Sequence, residues 1–133
     1  MDKLDKLDKL NKLNKKTIIT NNPDVAALYP EASCYLNVDV LHIFIALRDA
    51  IHKGGRLISH PLSGSIKPTD NPYKSVVLLE SYGQALDYKS LHIIEMAIIV
   101  LKKLSKKRHC YSEAVLEDFR VIDLDLLNSA VKG

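Results

Sequence analysis

Thr17-Ile18-Ile19-Thr20-Asn21-Asn22-Pro23-Asp24 is the stretch that decides the fold. Its first four residues are all β-branched and predict a short strand. Asn22 then suits a helix N-cap, Pro23 the first helical position and Asp24 the first-turn dipole. The helix so begun runs to about Leu28, because Tyr29 precedes Pro30 and is pushed away from helical angles. A strand that feeds straight into a helix is the opening unit of an α/β domain.

The alternation continues outward. Ser33 to Val38 predicts a second strand, and Asp39 caps a helix over about 40–53 with Val40, Phe44, Leu47 and Ile51 on one stripe and Ile43 beside it. Gly54 and Gly55 end that helix as left-handed residues. Arg56 to Ser59 and Ser75 to Leu79 predict strands three and four. The helix from about Tyr88 to Lys103 is apolar nearly all round, which predicts that it is largely covered. Ser112 caps a short helix to about Phe119, and Leu124 to Val131 closes the chain as another. Strands alternating with helices imply right-handed crossovers. The expected fold is a single three-layer α/β domain over residues 17–133, with a short, mostly parallel sheet of about four strands and flanking helices.

Composition bounds the function. The chain has 133 residues, 47% of them hydrophobic, and a formal charge of only +3, so it supports one core and is not disordered throughout. Residues 1–16, MDKLDKLDKLNKLNKK, form a low-complexity leader with six Lys against three Asp. The remaining thirteen basic and thirteen acidic residues cancel, so the folded part is neutral and a nucleic-acid partner is disfavoured. Leucines at 4, 7, 10 and 13 recur every three residues, which drifts around a helix and makes no fixed seam. The leader therefore reads as frayed or marginally helical. Lys102, Lys103, Lys106, Lys107 and Arg108 suit a helix C-terminus better than a nucleic-acid patch. Cys34 and Cys110 read as reduced thiols of a cytoplasmic protein, and no apolar run is long enough to span a membrane.

Two segments stand out as binding candidates because a parallel sheet gathers ligands at its carboxyl ends. One is Thr20-Asn21-Asn22 ahead of Pro23, where free backbone N–H groups suit an anion. The other runs from His60 to Ser75, a proline-stiffened loop that is long for a compact domain. Within it Ser63, Ser65 and Ser75 offer hydroxyls, Gly64 allows close backbone approach, and Lys67 and Lys74 supply cations. The expected ligand is a small anion such as phosphate, sulfate or a carboxylate. Neither a P-loop nor a Gly-x-Gly-x-x-Gly pattern occurs, and the five histidines share no metal-ligand spacing, so no nucleotide, cofactor or metal site is expected. His60 is the candidate general base, beside Ser63 and Ser65, with no carboxylate placed by sequence to orient it.

Thr20-Asn21-Asn22-Pro23, together with His60-Pro61-Leu62, Gly64-Ser65, Lys67-Pro68 and Pro72-Tyr73-Lys74-Ser75, resembles the GrdX family over roughly residues 17–104. These are small proteins named for their association with glycine reductase components in amino-acid-fermenting anaerobes. The resemblance implies a cytoplasmic accessory protein of a selenium-dependent reductase system that yields acetyl phosphate. It makes phosphate or acetyl phosphate a natural ligand, glycine reductase components natural partners, and assigns no catalytic residues. The leading expectation is accordingly a non-catalytic protein that binds a small anion or a reductase partner through the 20–23 and 60–75 loops. The alternative is a small hydrolase or transferase acting on an acyl or phosphoryl group with His60 as base. A nucleic-acid-binding regulator is the third reading and rests only on the basic leader and the 102–108 cluster.

Overall fold

A computed structural model describes residues 14–63, 70–81, 85–104 and 110–132. Among them lie four strands and four helices, in the order β1 (Asn14–Thr20), α1 (Pro23–Leu28), β2 (Ser33–Tyr35), α2 (Val40–His52), β3 (Arg56–Leu57), β4 (Ser75–Ser81), α3 (Tyr88–Leu104) and α4 (Glu113–Lys132). The capping logic of the sequence holds where it was most explicit. Asn22 accepts from the Asp24 N–H with Pro23 at the first position, and Asp39 accepts from the His42 N–H.

The sheet order is β2-β1-β4-β3, with β1 and β2 parallel but β4 antiparallel to both β1 and β3. The sheet is therefore mixed, which corrects the expectation of a mostly parallel one. The reason is legible in the connections. Helix α1 carries the chain from β1 back to a parallel neighbour, whereas no helix lies between β3 and β4 among the described residues. Without a crossover helix, β4 returns antiparallel and slots between β1 and β3.

Alternate residues of the two central strands feed two separate clusters. Ile19, Val76 and Leu78 pack with Phe44, Leu47 and Ile51 of α2 and with Ile94, Ala97, Ile98 and Leu101 of α3. Ile18 and Val77 turn the other way, onto Val25 of α1 and Leu127 of α4. Phe44, Ile43, Leu47 and Ile51 are wholly buried; each such side chain contributes roughly 1.5–3 kcal/mol of transfer free energy. Helix α3 is not covered all round as its composition suggested. Met96, Ile99 and Leu104 are 47%, 45% and 50% exposed, because the face that meets the core runs through Ser90, Leu91, Ile94, Ala97, Ile98 and Leu101.

Three further expectations change. Gly54 alone ends α2 with a positive φ, of 110°. Gly55 is needed for space instead, since a Cβ there would lie 2.9 Å from the Ala50 carbonyl oxygen and 3.1 Å from Leu78. The two short helices expected after Ser112 are one continuous helix, α4. The intervening Arg120-Val121-Ile122-Asp123 contains no glycine or proline, and β-branched residues lower helix propensity by only tenths of a kcal/mol, roughly. Strands β2 and β3 are also shorter than their apolar runs suggested, while β1 begins at Asn14 and so takes in the last residues of the leader. Residues 1–13, and with them the leader's expected frayed or marginal helix, lie outside the described residues, as do Lys106, Lys107 and Arg108.

Candidate functional site

The pairing of β1 with β4 places Thr20 opposite Ser75. The segment after β1 and the segment before β4 thus leave the sheet at the same end. They are stitched there by Asn21, whose side-chain amide donates to the carbonyls of Val38 (2.9 Å) and Pro72 (2.8 Å) while its oxygen accepts from the Lys74 N–H (2.8 Å). The two sequence-selected loops meet, through an antiparallel pair and not through parallel carboxyl ends.

Between them lies a buried polar cluster with Asp123 of α4 at its centre. One carboxylate oxygen accepts from the Ser75 N–H (3.1 Å), the other from the Ser75 hydroxyl (2.7 Å) and the Asn22 amide (3.1 Å). Thr20 Oγ1 shares a 2.6 Å hydrogen bond with Ser75 Oγ and accepts from the Asn22 N–H at 2.9 Å. The Asn22 amide also donates to the Arg120 carbonyl (3.0 Å), which joins α4 to the start of α1. Among the described residues, every buried side-chain polar atom has a hydrogen-bond partner.

Asp123 is only 4% exposed. Burial pushes its carboxyl above the ordinary value of 3.8, and the donors from Ser75 and Asn22 together with the Lys74 charge hold back part of that rise. Lys74 is shifted the complementary way. Burial pushes its ammonium below the ordinary 10.5, and the facing Asp123 offsets part of the drop. Each charge thus makes the other's burial less costly.

This cluster forms the floor of a small cleft of about 30 Å³, lined by Ser59, His60, Ser63, Lys74, Ser75 and Asp123, with Leu126, Leu127 and Ala130 of α4 as its apolar wall. That volume is enough for a water-sized group. His60, Ser63, Lys74 and Ser75, four of the residues singled out from sequence, line it together. Thr20, Asn21 and Asn22 do not line it; they stand behind it and hold Ser75, Lys74 and Asp123 in place. Gly64, Ser65 and Lys67 lie outside the described residues. His60 is exposed, and its Nδ1 accepts from the Leu62 N–H at 3.1 Å. That bond fixes the ring by its own loop, and among the described residues no hydrogen bond or ion pair ties it to a carboxylate.

Sequence reasoning missed Ser59 and Asp123. Splitting α4 in two left Asp123 in the gap between helices. Read as one helix, Leu116, Arg120, Asp123, Leu124 and Leu127 share a stripe, and a carboxylate on the stripe that faces the core signals a buried, partnered charge. Ser59 was hidden by the strand assignment; its hydroxyl accepts from the Val77 N–H at 2.9 Å, where β3 has already left the ladder.

Among the described residues no group of three or more His, Cys, Asp or Glu side chains is placed to hold a metal ion, and no helix is long and apolar enough to cross a membrane. A family model described as GrdX-like protein matches residues 17–132, which extends the resemblance from its expected limit near 104 through the whole of α4. No curated protein and no solved structure matches the chain.

Proposed function

The chain belongs to the GrdX-like protein family, and from that membership and the geometry of its cleft we propose a non-catalytic accessory protein, associated with glycine reductase components, that holds a small anion against Lys74, His60 and Ser63. The family name supplies the metabolic setting. The observation that carries the ligand reading is the half-buried Lys74 in a cleft also lined by Ser59, Ser63, the ring of His60 and the hydrogen-bonded Ser75–Asp123 pair. The Ser75 hydroxyl donates to Asp123, so the donors of the cleft are Lys74 and the hydroxyls of Ser59 and Ser63, which suit one oxygen of phosphate, an acyl phosphate or a carboxylate. Asp123 shares its charge with three hydrogen-bond donors, the Ser75 N–H, the Ser75 hydroxyl and the Asn22 amide, and so offsets Lys74 only in part.

The accessory role, and not catalysis, is favoured by the wiring of the candidate base. With Nδ1 accepting from Leu62, His60 cannot donate that nitrogen's proton to an orienting carboxylate, the arrangement that activates a hydroxyl nucleophile. The two exposed free cysteines, Cys34 and Cys110, suit a reducing cytoplasm, the compartment this reading assigns to the protein.

A thermal-shift and calorimetry panel tests this reading with phosphate, sulfate, acetyl phosphate, glycine and common nucleotides. At about 100 times its dissociation constant a ligand adds roughly 2.7 kcal/mol, a clear rise in midpoint. A rise with an oxoanion that is lost in Lys74→Ala supports the cleft. No rise with any of them sinks the anion reading and leaves partner docking to be tested by co-purification with reductase components. Turnover of acetyl phosphate that disappears in His60→Ala would overturn the non-catalytic assignment.

A further inference from the structure

The cleft is one end of a longer feature of α4. Val115, Phe119, Ile122, Leu126 and Ala130 follow at steps of four, three, four and four residues, which lines them along one side of the helix. Such spacing is the seam by which one helix receives another. Val115, Ile122 and Leu126 are exposed, and Phe119 and Ala130 are half-buried. The stripe runs beside the buried side of α4 that carries Asp123 and Leu127, and its last two members belong to the cleft wall. Its other edge is acidic. Asp118 and Asp125, both exposed, stand there one heptad apart, and among the described residues no cation pairs with either.

We propose, resting on the anion reading above, that stripe and cleft form one docking surface for an amphipathic helix of a protein partner, with a carboxylate of that helix entering the cleft. The partner's apolar side chains cover Val115, Ile122 and Leu126, its basic residues face Asp118 and Asp125, and one acidic side chain reaches Lys74. Size favours this source of the anion. A cleft of about 30 Å³ takes a single oxygen and leaves the rest of any ligand outside. There the ligand meets Leu126 and Ala130, an apolar wall that a free oxoanion leaves bare and a partner's side chains cover. Charge fixes the kind of partner. A second copy laid antiparallel on the stripe would set Asp118 beside the other copy's Asp125, like against like. A basic edge on a different protein meets both acids favourably.

The probe is a synthetic helical peptide with leucines alternately three and four residues apart, lysines along one edge and a glutamate beyond each end of the seam. Its binding to the full chain is read by fluorescence anisotropy. Two control peptides carry glutamate in place of the lysines, or glutamine in place of the glutamates. The lysine-edged peptide is expected to bind at least about tenfold more tightly than its charge-reversed form, with a gap that narrows as salt rises. Ile122→Asp, an exposed substitution that should leave the unfolding midpoint in place, should weaken it by at least about tenfold. The glutamate and glutamine peptides should differ by at least about threefold on the parent and not at all on Lys74→Ala. Absence of saturable binding, equal affinity for the two edge charges, or a glutamate peptide no tighter than the glutamine one overturns the proposal. A parent that dimerises while Ile122→Asp stays monomeric gives the stripe to a second copy and overturns it too. Phosphate that raises the midpoint while no peptide binds leaves the anion cleft standing without this partner. Lys74-dependent peptide binding with no phosphate shift removes only the free anion and keeps the docking surface.

Discussion

The two faces of the sheet are built from different materials. On one, twelve buried residues from β1, β4, α2 and α3 make a continuous apolar cluster. On the other, Ile18, Val25, Val77 and Leu127 make a cluster of four, and the fixing of α4 falls largely to Asp123, Asn22, Ser75 and Tyr29. Among the residues of α4 whose burial is described, only Asp123 and Leu127 are buried. Apolar packing is non-directional and tolerant, while hydrogen bonds demand geometry. The first face therefore sets stability, and the second positions a cleft.

The largest expected effect comes from breaking the apolar face. Phe44→Ala should cost about 3–5 kcal/mol in urea unfolding, because α2, α3 and the sheet enclose the site on all sides and cannot collapse into it. Asn22→Ala should cost about 2–3 kcal/mol, combining the loss of a helix cap with the loss of a donor to a buried carboxylate. If Asn22→Ala proves as mild as a surface substitution, the polar face is not holding α4. Leu127→Ala should cost about 2 kcal/mol, the low end for a buried leucine, because α4 can loosen instead of leaving a void. Hydrogen exchange distinguishes the two faces: the variant should lose protection in α4 while α2 and α3 keep theirs, and uniform loss would mean that the faces are one cooperative unit. Asp39→Ala should cost only about 1 kcal/mol, since the Asp39 cap is solvent-exposed and its removal leaves no buried group behind.

The same contrast explains what could be read from sequence. Periodicity found the α2 stripe through Val40, Phe44, Leu47 and Ile51 because apolar burial repeats with the helix. Side-chain identity found both caps, since Asn22 and Asp39 act on N–H groups two and three residues away. The direction of β4 depends on a pairing between residues 55 positions apart, Thr20 and Ser75, and only the missing crossover helix hinted at it. The meeting of the two loops was expected on the wrong topology. Asp123 stayed hidden because its partners lie 48 and 101 residues away, and it fell in the gap between the two helices that the sequence predicted.

The smallest expected effect is a pH slope, and it belongs to the polar face alone. Burial raises the Asp123 carboxyl above 3.8, so the folded state binds that proton more tightly than the unfolded chain does. A group raised on folding contributes its stability fully below the unfolded value and loses it as pH climbs through the folded one. From about pH 4 upward, Asp123 should therefore make the parent progressively less stable relative to Asp123→Asn, which has no proton to lose there. One proton changes stability by at most about 1.4 kcal/mol per pH unit, and by less where both states are partly titrated. Other carboxylates cancel in the difference between parent and variant, so urea midpoints of the two measured across that range isolate the effect. A difference that narrows with rising pH in the parent's favour would mean that the donors from Ser75 and Asn22 outweigh burial, with Asp123 held below its ordinary value. The polar face would then be stabilised by its charge, and the contrast with the apolar face would reduce to one of chemistry without a difference in strength.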